Sequence, residues 1–228
     1  MLYLYAFCRP PLPPDVPGLH KTMLRAIPVG ALVAAVSDLD TPPSAGAPHL
    51  WAHEHAVETL MQTRPVLPVR FGTMLHDAEH LQAVTAPQEA AMHEALARVD
   101  GHVELSVRAL AAEPPLPPAE APPRTGTDYL RQRQAQLSAE QADHQQAQQR
   151  AAALHAQLAP LAADSTYEAR RTARMVLTGA YLVPADQQDA FQDAVAALQT
   201  QHPDLAFLCT GPWPPYHFTR LALTTPTP

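Results

Sequence analysis

Short apolar runs alternate with amphipathic segments along this chain, and prolines separate them. We predict strands where β-branched and aromatic residues form short runs. We predict helices where apolar residues recur at helical spacing; one face of the first helix carries Leu50, His53, Val57, Leu60 and Met61. The expected strands are 2–7, 31–37, 66–71, 102–110, 173–183 and 205–209, with a further candidate at 216–223, and the expected helices are 49–63, 76–84, 88–99, 128–158 and 186–200.

The segment 102–110 shows the clearest alternation in the chain. Successive side chains of a strand point to opposite faces, so an alternating pattern indicates a strand with one buried and one solvated face. The two faces here are Val103, Leu105 and Val107 on one side and Glu104, Ser106 and Arg108 on the other.

The predicted helix 128–158 is long and rich in Gln, Ala and Arg, and its apolar residues are sparse. A seven-residue spacing relates Leu130, Leu137, His144, Ala151 and Leu158. Because this seam is thin in its middle, a single helix packed on its own protein is favoured over an autonomous coiled coil. We expect Leu154, Leu158 and Leu161 to be covered and 141–149 to stay in solvent.

This order of elements predicts an α+β protein built from two ferredoxin-like α/β units, the second with the additional long helix. Each unit is expected to be an open antiparallel sheet with helices on one face. The expected domains are 1–98 and 99–228, and the second contains a Pro-rich linker, 113–123, and the long helix, 126–162. The linker is the alternative position for the boundary.

Composition narrows the functional classes. The chain has 228 residues, 15 basic against 22 acidic side chains, and a net charge of −7. No basic cluster lies along one predicted helix face, so we expect no nucleic-acid partner. No apolar run approaches the ~20 residues that span a bilayer, and the start lacks a basic signal region, so we expect no membrane partner and a soluble, cytosolic protein. Cys8 and Cys209 both lie in apolar runs and are expected to be buried free thiols.

The sequence contains no motif of a catalytic, cofactor or metal site that we recognise. His49, His53 and His55 cluster around Glu54, but their spacing is not that of a zincin, so solvated helix-face histidines are preferred over a metal site. Gly-rich nucleotide loops and the Gly-x-Ser-x-Gly elbow are also missing. The alternative is a small-molecule enzyme on a ferredoxin-like scaffold.

The segment around Arg70 is unusual because an arginine stands inside an apolar run. Pro68 precedes it, and Phe71 and Gly72 follow it. Burying a guanidinium is costly unless it is paired. Two interpretations remain open: Arg70 faces solvent from an edge strand, or it is a structural anchor paired with Glu54 or Glu58.

A second unusual segment combines closely spaced prolines with aromatic residues. Prolines hold an extended backbone, and aromatic residues supply rigid apolar area. The segment is either a loop that folds its aromatic residues over the sheet or a docking surface for a partner. Its candidate residues are Gly211, Pro212, Trp213, Pro214, Pro215 and Tyr216.

These segments resemble the signature stretches of the gas vesicle GvpL/GvpF family. The Pro-Val-Arg-Phe-Gly-Thr and Gly-Pro-Trp-Pro-Pro-Tyr motifs together are the most specific part of the resemblance. Family members usually have an aromatic or smaller residue where this chain has Leu105, and the linker and Gln-rich helix look like local elaborations. The matching stretches are 2–6, 52–57, 65–73, 101–107, 126–130, 180–184 and 211–218.

The resemblance implies an accessory or minor structural gas vesicle protein with ferredoxin-like domains and no catalytic residues. It implies action in the cytoplasm or at the gas vesicle during assembly. The implied partners are the small hydrophobic shell protein GvpA and other gas vesicle accessory proteins.

Overall fold

A computed structural model describes residues 1–112, 125–169, 174–219, 221 and 223. The chain forms two compact units, one containing Met1–Glu104 together with the segment from Gly211 onward, the other containing Leu105–Thr210. The sequence-based division assigned the segment after Gly211 to the second domain. Hydrogen bonds of Tyr216 and His217 hold this segment on the first unit.

The first unit contains a five-stranded sheet with the order β2-β3-β1-β4, and β5 also pairs with β1. The pairs β1–β3, β1–β4, β1–β5 and β2–β3 are all antiparallel. The strands are β1 (Leu2–Cys8), β2 (Arg25–Val29), β3 (Leu32–Asp38), β4 (Val66–Pro68) and β5 (Met74–Leu75).

Strand β2 was not predicted, because Arg25 and Pro28 give it the composition of a loop. Proline is tolerated at a sheet edge, where its missing N–H faces away from the neighbouring strand. β2 occupies such an edge and is joined to β3 by a tight turn at Gly30, whose φ of 55° favours glycine.

Three helices pack against this sheet. Every residue of β1 is buried. The helix α1 (Ala47–Met61) packs through Ala56, Val57 and Leu60 on the face that carries Tyr3 and Tyr5. The helix α2 (Ala78–Thr85) lies against β2, and α3 (Glu89–Val99) lies against β4.

The second unit has the element order strand, helix, strand, strand, helix, strand. Its sheet has the strand order β7-β8-β6-β9, and β7 and β8 are antiparallel. The elements are β6 (His102–Ala111), α4 (Gly126–Leu158), β7 (Asp164–Ala169), β8 (Met175–Pro184), α5 (Gln188–Gln201) and β9 (Leu205–Trp213). β7 was not predicted because it is a largely exposed strand with the polar sequence Asp-Ser-Thr-Tyr-Glu-Ala.

The alternation of β6 correctly identified its inner face. Leu105, Val107 and Ala109 are buried in the core of the second unit. The expectation of a fully solvated opposite face is wrong at Glu104, which is 3% exposed. Burying a carboxylate requires hydrogen-bond donors, and Glu104 obtains them from His217.

The C-terminal part of α4 packs on the second unit. Leu154 and Leu158 are buried as expected, and 141–149 is mostly exposed. Leu161 is 38% exposed, so its predicted burial is wrong. Leu130 and Leu137, 67% and 44% exposed, leave the N-terminal part of the seven-residue seam in solvent.

Candidate functional site

A buried histidine, His53, joins the two unusual segments of the sequence. It lies on the inner face of α1 with no exposed surface. Its Nδ1 is 2.9 Å from the Tyr3 hydroxyl, and its Nε2 is 3.0 Å from the Val69 carbonyl oxygen. The Tyr216 hydroxyl lies 3.3 Å from the same Nε2. The ring also stacks on Tyr5 at a centroid distance of 5.4 Å.

The hydrogen bonds around His53 define its tautomer. A carbonyl oxygen only accepts, so Nε2 carries the proton and donates it to Val69. The Gly72 N–H donates to the Tyr3 oxygen at 3.1 Å, which leaves the Tyr3 O–H free to donate to Nδ1. Burial lowers the pKa of His53 to about 4, so the ring is neutral at pH 7. The expectation that His53 is a solvated helix-face histidine is therefore wrong.

Tyr216 extends this network to a carboxylate. Its hydroxyl donates to Glu54 Oε1 at 3.0 Å. Burial raises the pKa of Glu54, and the Tyr216 hydrogen bond opposes that shift. Burial also raises the pKa of Tyr216, and the neighbouring Glu54 charge adds to the shift, so the phenol stays protonated. The network thus consists of neutral donors and acceptors around one partly buried carboxylate.

Further contacts hold the C-terminal segment on the first unit. Glu104 accepts hydrogen bonds from the His217 backbone N–H at 2.9 Å and pairs with His217 Nδ1 at 2.6 Å. Arg98 donates to the Phe218 carbonyl at 2.9 Å. The buried Thr219 hydroxyl donates to the Pro215 carbonyl at 2.8 Å, which closes the turn.

The segment 68–72 ends a strand and forms a turn, so the expected strand 66–71 is too long. β4 stops at the buried Pro68. A turn runs from Arg70 to Thr73, whose N–H donates to the Arg70 carbonyl at 3.3 Å, and Gly72 has a φ of 86°. That position of a type II turn favours glycine. Phe71 is half-buried, with its ring centroid 5.8 Å from that of His53.

The segment 211–216 divides into an exposed and a buried part. Gly211 and Pro212 are exposed at the end of β9, and Trp213 is half-buried. Pro214 and Pro215 are buried. The candidate strand 216–223 does not begin at Tyr216, because residues 216–218 form a turn.

The expected ion pair between Arg70 and the carboxylate of Glu54 or Glu58 is not formed. The Arg70 side chain is exposed and has no hydrogen-bond or ion-pair partner in the part of the chain that the structure describes. The physical reason is that Tyr216 satisfies Glu54, while the turn directs Arg70 to solvent. The partner-binding interpretation of Arg70 stays a prediction.

We therefore expect Arg70→Ala to leave stability almost unchanged, within about 0.5 kcal/mol, because exposed side chains without partners contribute little. Chemical denaturation followed by tryptophan fluorescence measures this. Arg98→Ala is the matched comparison, since Arg98 donates to the Phe218 carbonyl and its removal is expected to be destabilising. A clear loss of stability in Arg70→Ala would instead establish an anchoring role.

The described residues contain no group of three or more His, Cys, Asp or Glu side chains placed to hold a metal ion. Within the same residues, no helix is long and apolar enough to cross a membrane. Both cysteines are free thiols, Cys8 buried as expected and Cys209 only half-buried.

The overall fold is that of solved gas vesicle proteins. The crystal structure of GvpF from Anabaena sp. PCC7120 matches with a TM-score of 0.78 at 20% identity, covering 97% of this chain and 96% of that one. GvpF from Microcystis aeruginosa matches with a TM-score of 0.75 at 20% identity, covering 96% and 99%. These likenesses establish an α+β fold with two antiparallel sheets and helices.

Sequence comparison identifies the family. The family described as gas vesicle synthesis protein GvpL/GvpF matches residues 1–220. Gas vesicle protein L from Streptomyces sp. is 29% identical, covering 96% of this chain and 93% of that protein. Gas vesicle protein F2 from Halobacterium salinarum is 29% identical over 84% of this chain and 77% of that protein. The chain belongs to the gas vesicle GvpL/GvpF family, as the resemblance implied.

The helical spacing placed His53 on the apolar face of its helix, but its burial was not predicted, and Leu50, expected on the same face, is 40% exposed. His53, Ala56, Val57 and Leu60 follow the spacing of one helix face, and all four are buried. A histidine on such a stripe indicates a buried ring that needs two hydrogen-bond partners. Tyr3 and Val69 lie far from it in sequence, so their identity as partners required the fold.

Proposed function

We propose that this chain is an accessory gas vesicle protein that binds the shell protein GvpA and other gas vesicle proteins during assembly. The physical reason is that a small hydrophobic shell subunit exposes strand edges and apolar surface until it is incorporated. Exposed edges pair indiscriminately, so a binding protein is needed to hold such a subunit.

The observation that carries this proposal is the position of the two sequence segments that are most specific to the family. The Val69 carbonyl and the Tyr216 hydroxyl both lie within hydrogen-bond distance of His53 Nε2, at 3.0 and 3.3 Å. The turn at Arg70 and the turn at Tyr216 are thus supported by the same buried ring. The exposed Arg70, the half-buried Phe71 and the adjoining Tyr216 supply the charged and aromatic groups that anchor protein interfaces.

We also propose that both units are ferredoxin-like and that the chain is not an enzyme. The strand orders β2-β3-β1-β4 and β7-β8-β6-β9 agree with ferredoxin-like topology. In the first unit, a loop and a short 3-10 helix, Leu19–Lys21, replace the first crossover helix. The His53 network is buried and already satisfied by protein groups, which suits a structural role better than catalysis. We place the protein in the cytoplasm and at the gas vesicle, without cofactors.

Coexpression with GvpA tests the function. We expect GvpA to stay in solution and to coelute with this chain in size-exclusion chromatography. If GvpA aggregates equally with and without the chain and never coelutes, direct binding is refuted. The competing function is an adaptor that binds other accessory proteins and not GvpA. Pull-downs against those proteins distinguish the two.

A charge reversal at Arg70 tests whether the surface formed by Arg70, Phe71 and Tyr216 binds a partner. Arg70→Glu is expected to reduce capture of a gas vesicle partner, because an exposed interfacial charge affects association. Arg133→Glu, an equally exposed arginine on α4, is the matched control and is expected to leave capture unchanged. Equal capture by both variants would remove Arg70 from the interface.

A further inference from the structure

Most of the edge strands described in this chain carry features that prevent pairing with another chain. Natural sheets protect their edges by keeping edge strands short or by placing charges and prolines on them. β4 has three residues and ends in Pro68, and β5 has two residues. β2 carries Pro28 and the Arg25–Asp38 ion pair, and β7 carries Asp164 and Glu168.

The remaining edge strand, β9, lacks these features over its first five residues. Leu205–Trp213 contains no charged side chain, and its one proline, Pro212, lies near the end. Leu205, Phe207 and Cys209 face the core of the second unit, whereas Ala206 is exposed and Leu208 is 47% exposed. In the strand order, β9 has β6 as its described neighbour.

The hydrogen bonds of α5 show which backbone groups of β9 point away from β6. The Gln199 side-chain amide donates to the Leu205 carbonyl at 2.7 Å and accepts from the Phe207 N–H at 2.9 Å. The Leu205 N–H donates to the His202 carbonyl at 3.0 Å. The odd-numbered residues therefore direct their N–H and C=O groups to the outer edge, because backbone direction alternates along a strand.

Gln199 binds the edge as a neighbouring peptide group would, but it covers only the first outward groups. The next outward groups are the Phe207 carbonyl and the N–H and carbonyl of Cys209. In the strand order of the described residues, β9 is terminal, so no described strand lies beside these groups. Gln199 thus covers the outer edge of β9 up to the Phe207 N–H, and the described sheet places no strand beside the edge after that point, next to the exposed Leu208.

We propose that β9 is a strand-addition site whose occupant is an extended, uncharged, apolar segment of a partner chain. The occupant pairs with the outward groups of Phe207 and Cys209 and covers Leu208 with an apolar side chain. This inference rests on the proposed function, because the occupant is a segment of the hydrophobic shell protein GvpA. It locates the strand-pairing contact in the second unit rather than at the short, buried β4.

Two variants test the site in the full-length chain coexpressed with GvpA. Leu208→Lys places a charge on the exposed face of the edge strand, and Cys209→Pro removes one outward N–H without removing a bond to β6. Each is expected to lower the coeluting GvpA by about tenfold, since a tenfold loss needs only a small part of an interface. Thr166→Lys, an exposed position on the edge strand β7, is the control and is expected to leave coelution unchanged.

The outcomes separate this inference from the proposed function. If the wild type coelutes with GvpA, and both β9 variants do so equally with unchanged melting temperatures, the strand-addition site is overturned. The proposed function then still stands. No wild-type coelution overturns both. Wild-type self-association that Leu208→Lys abolishes, without GvpA binding, assigns the edge to a second copy of this chain instead. Slower hydrogen exchange at the Cys209 amide in the wild-type complex, and unchanged exchange in β7, would support strand addition directly.

Discussion

Replacing His53 by alanine is expected to destabilise the first unit by about 3–5 kcal/mol. The change leaves a cavity nearly the size of an imidazole ring in the core. Replacing a buried aromatic side chain by alanine lowers the free energy of unfolding by about this amount. It also leaves the Val69 carbonyl and the Tyr3 hydroxyl without His53 as their partner, and an unsatisfied buried polar group adds about 1–3 kcal/mol. The upper part of the range is therefore expected if the core does not relax.

Tryptophan fluorescence during urea denaturation measures this loss selectively. The chain has two tryptophans, and Trp51 and Trp213 both belong to the first unit. The matched control is His55→Ala, because His55 lies on the same helix and is exposed. The control should remain within about 0.5 kcal/mol of the wild type. Equal midpoints for the two variants would contradict the central role of His53.

The stability of the first unit is expected to fall by about 2–3 kcal/mol between pH 7.5 and pH 4.5 through His53 alone. The pKa of His53 is lowered from 6.5 to about 4 by burial in the folded chain. Between these values the unfolded state binds more protons than the folded state, so acidification favours unfolding. The full contribution is present above pH 6.5 and is lost as the pH falls toward 4.

Neighbouring groups modify this pH dependence without reversing the His53 contribution. Glu54 has a raised pKa, so its protonation on acidification works in the opposite direction. Tyr3, Tyr5 and Tyr216 have raised pKa values and remain protonated throughout this range. A comparison of wild type with His53→Gln cancels the Glu54 contribution to first order, because both chains retain that carboxyl group.

The measurement is therefore a difference between two denaturation series. At pH 7.5 the wild type should have a clearly larger free energy of unfolding than His53→Gln. This difference should decrease by about 2–3 kcal/mol at pH 4.5. His55→Gln, which replaces an exposed histidine, should keep a constant gap from the wild type. A constant gap for His53→Gln as well would mean that His53 is not held neutral by the fold.

Sequence patterns predicted most of the secondary structure because the buried elements carry strong local signals. β1 is a continuous aromatic and aliphatic run and is buried along its whole length. β6 alternates, and its inward residues are those of the alternating apolar set. The helices α1, α3 and α5 show apolar residues at helical spacing and lie within two residues of their predicted starts.

Where the predictions failed, the cause was position within the sheet or the helix. β2 and β7 are edge strands, and an edge position permits the proline and polar residues that give these strands the composition of loops. Leu161 follows the end of α4 and lies beyond its buried face, so continuing the helical spacing to it was wrong. Arg70 lies in a turn, and its exposure removes the need for a buried partner.

The α+β class could be predicted from the local order of apolar and polar residues, and the family from the resemblance of the motifs around Arg70 and Tyr216. Three contacts emerged only in the folded chain: both segments lie on His53, Glu104 is buried against His217, and Gln199 covers part of the β9 edge. Each of these contacts satisfies a polar group that burial or edge position leaves without water or a neighbouring strand. Such a group must find its partner wherever the fold brings one, as Tyr216 does 163 residues from His53, and no periodic pattern encodes that pairing.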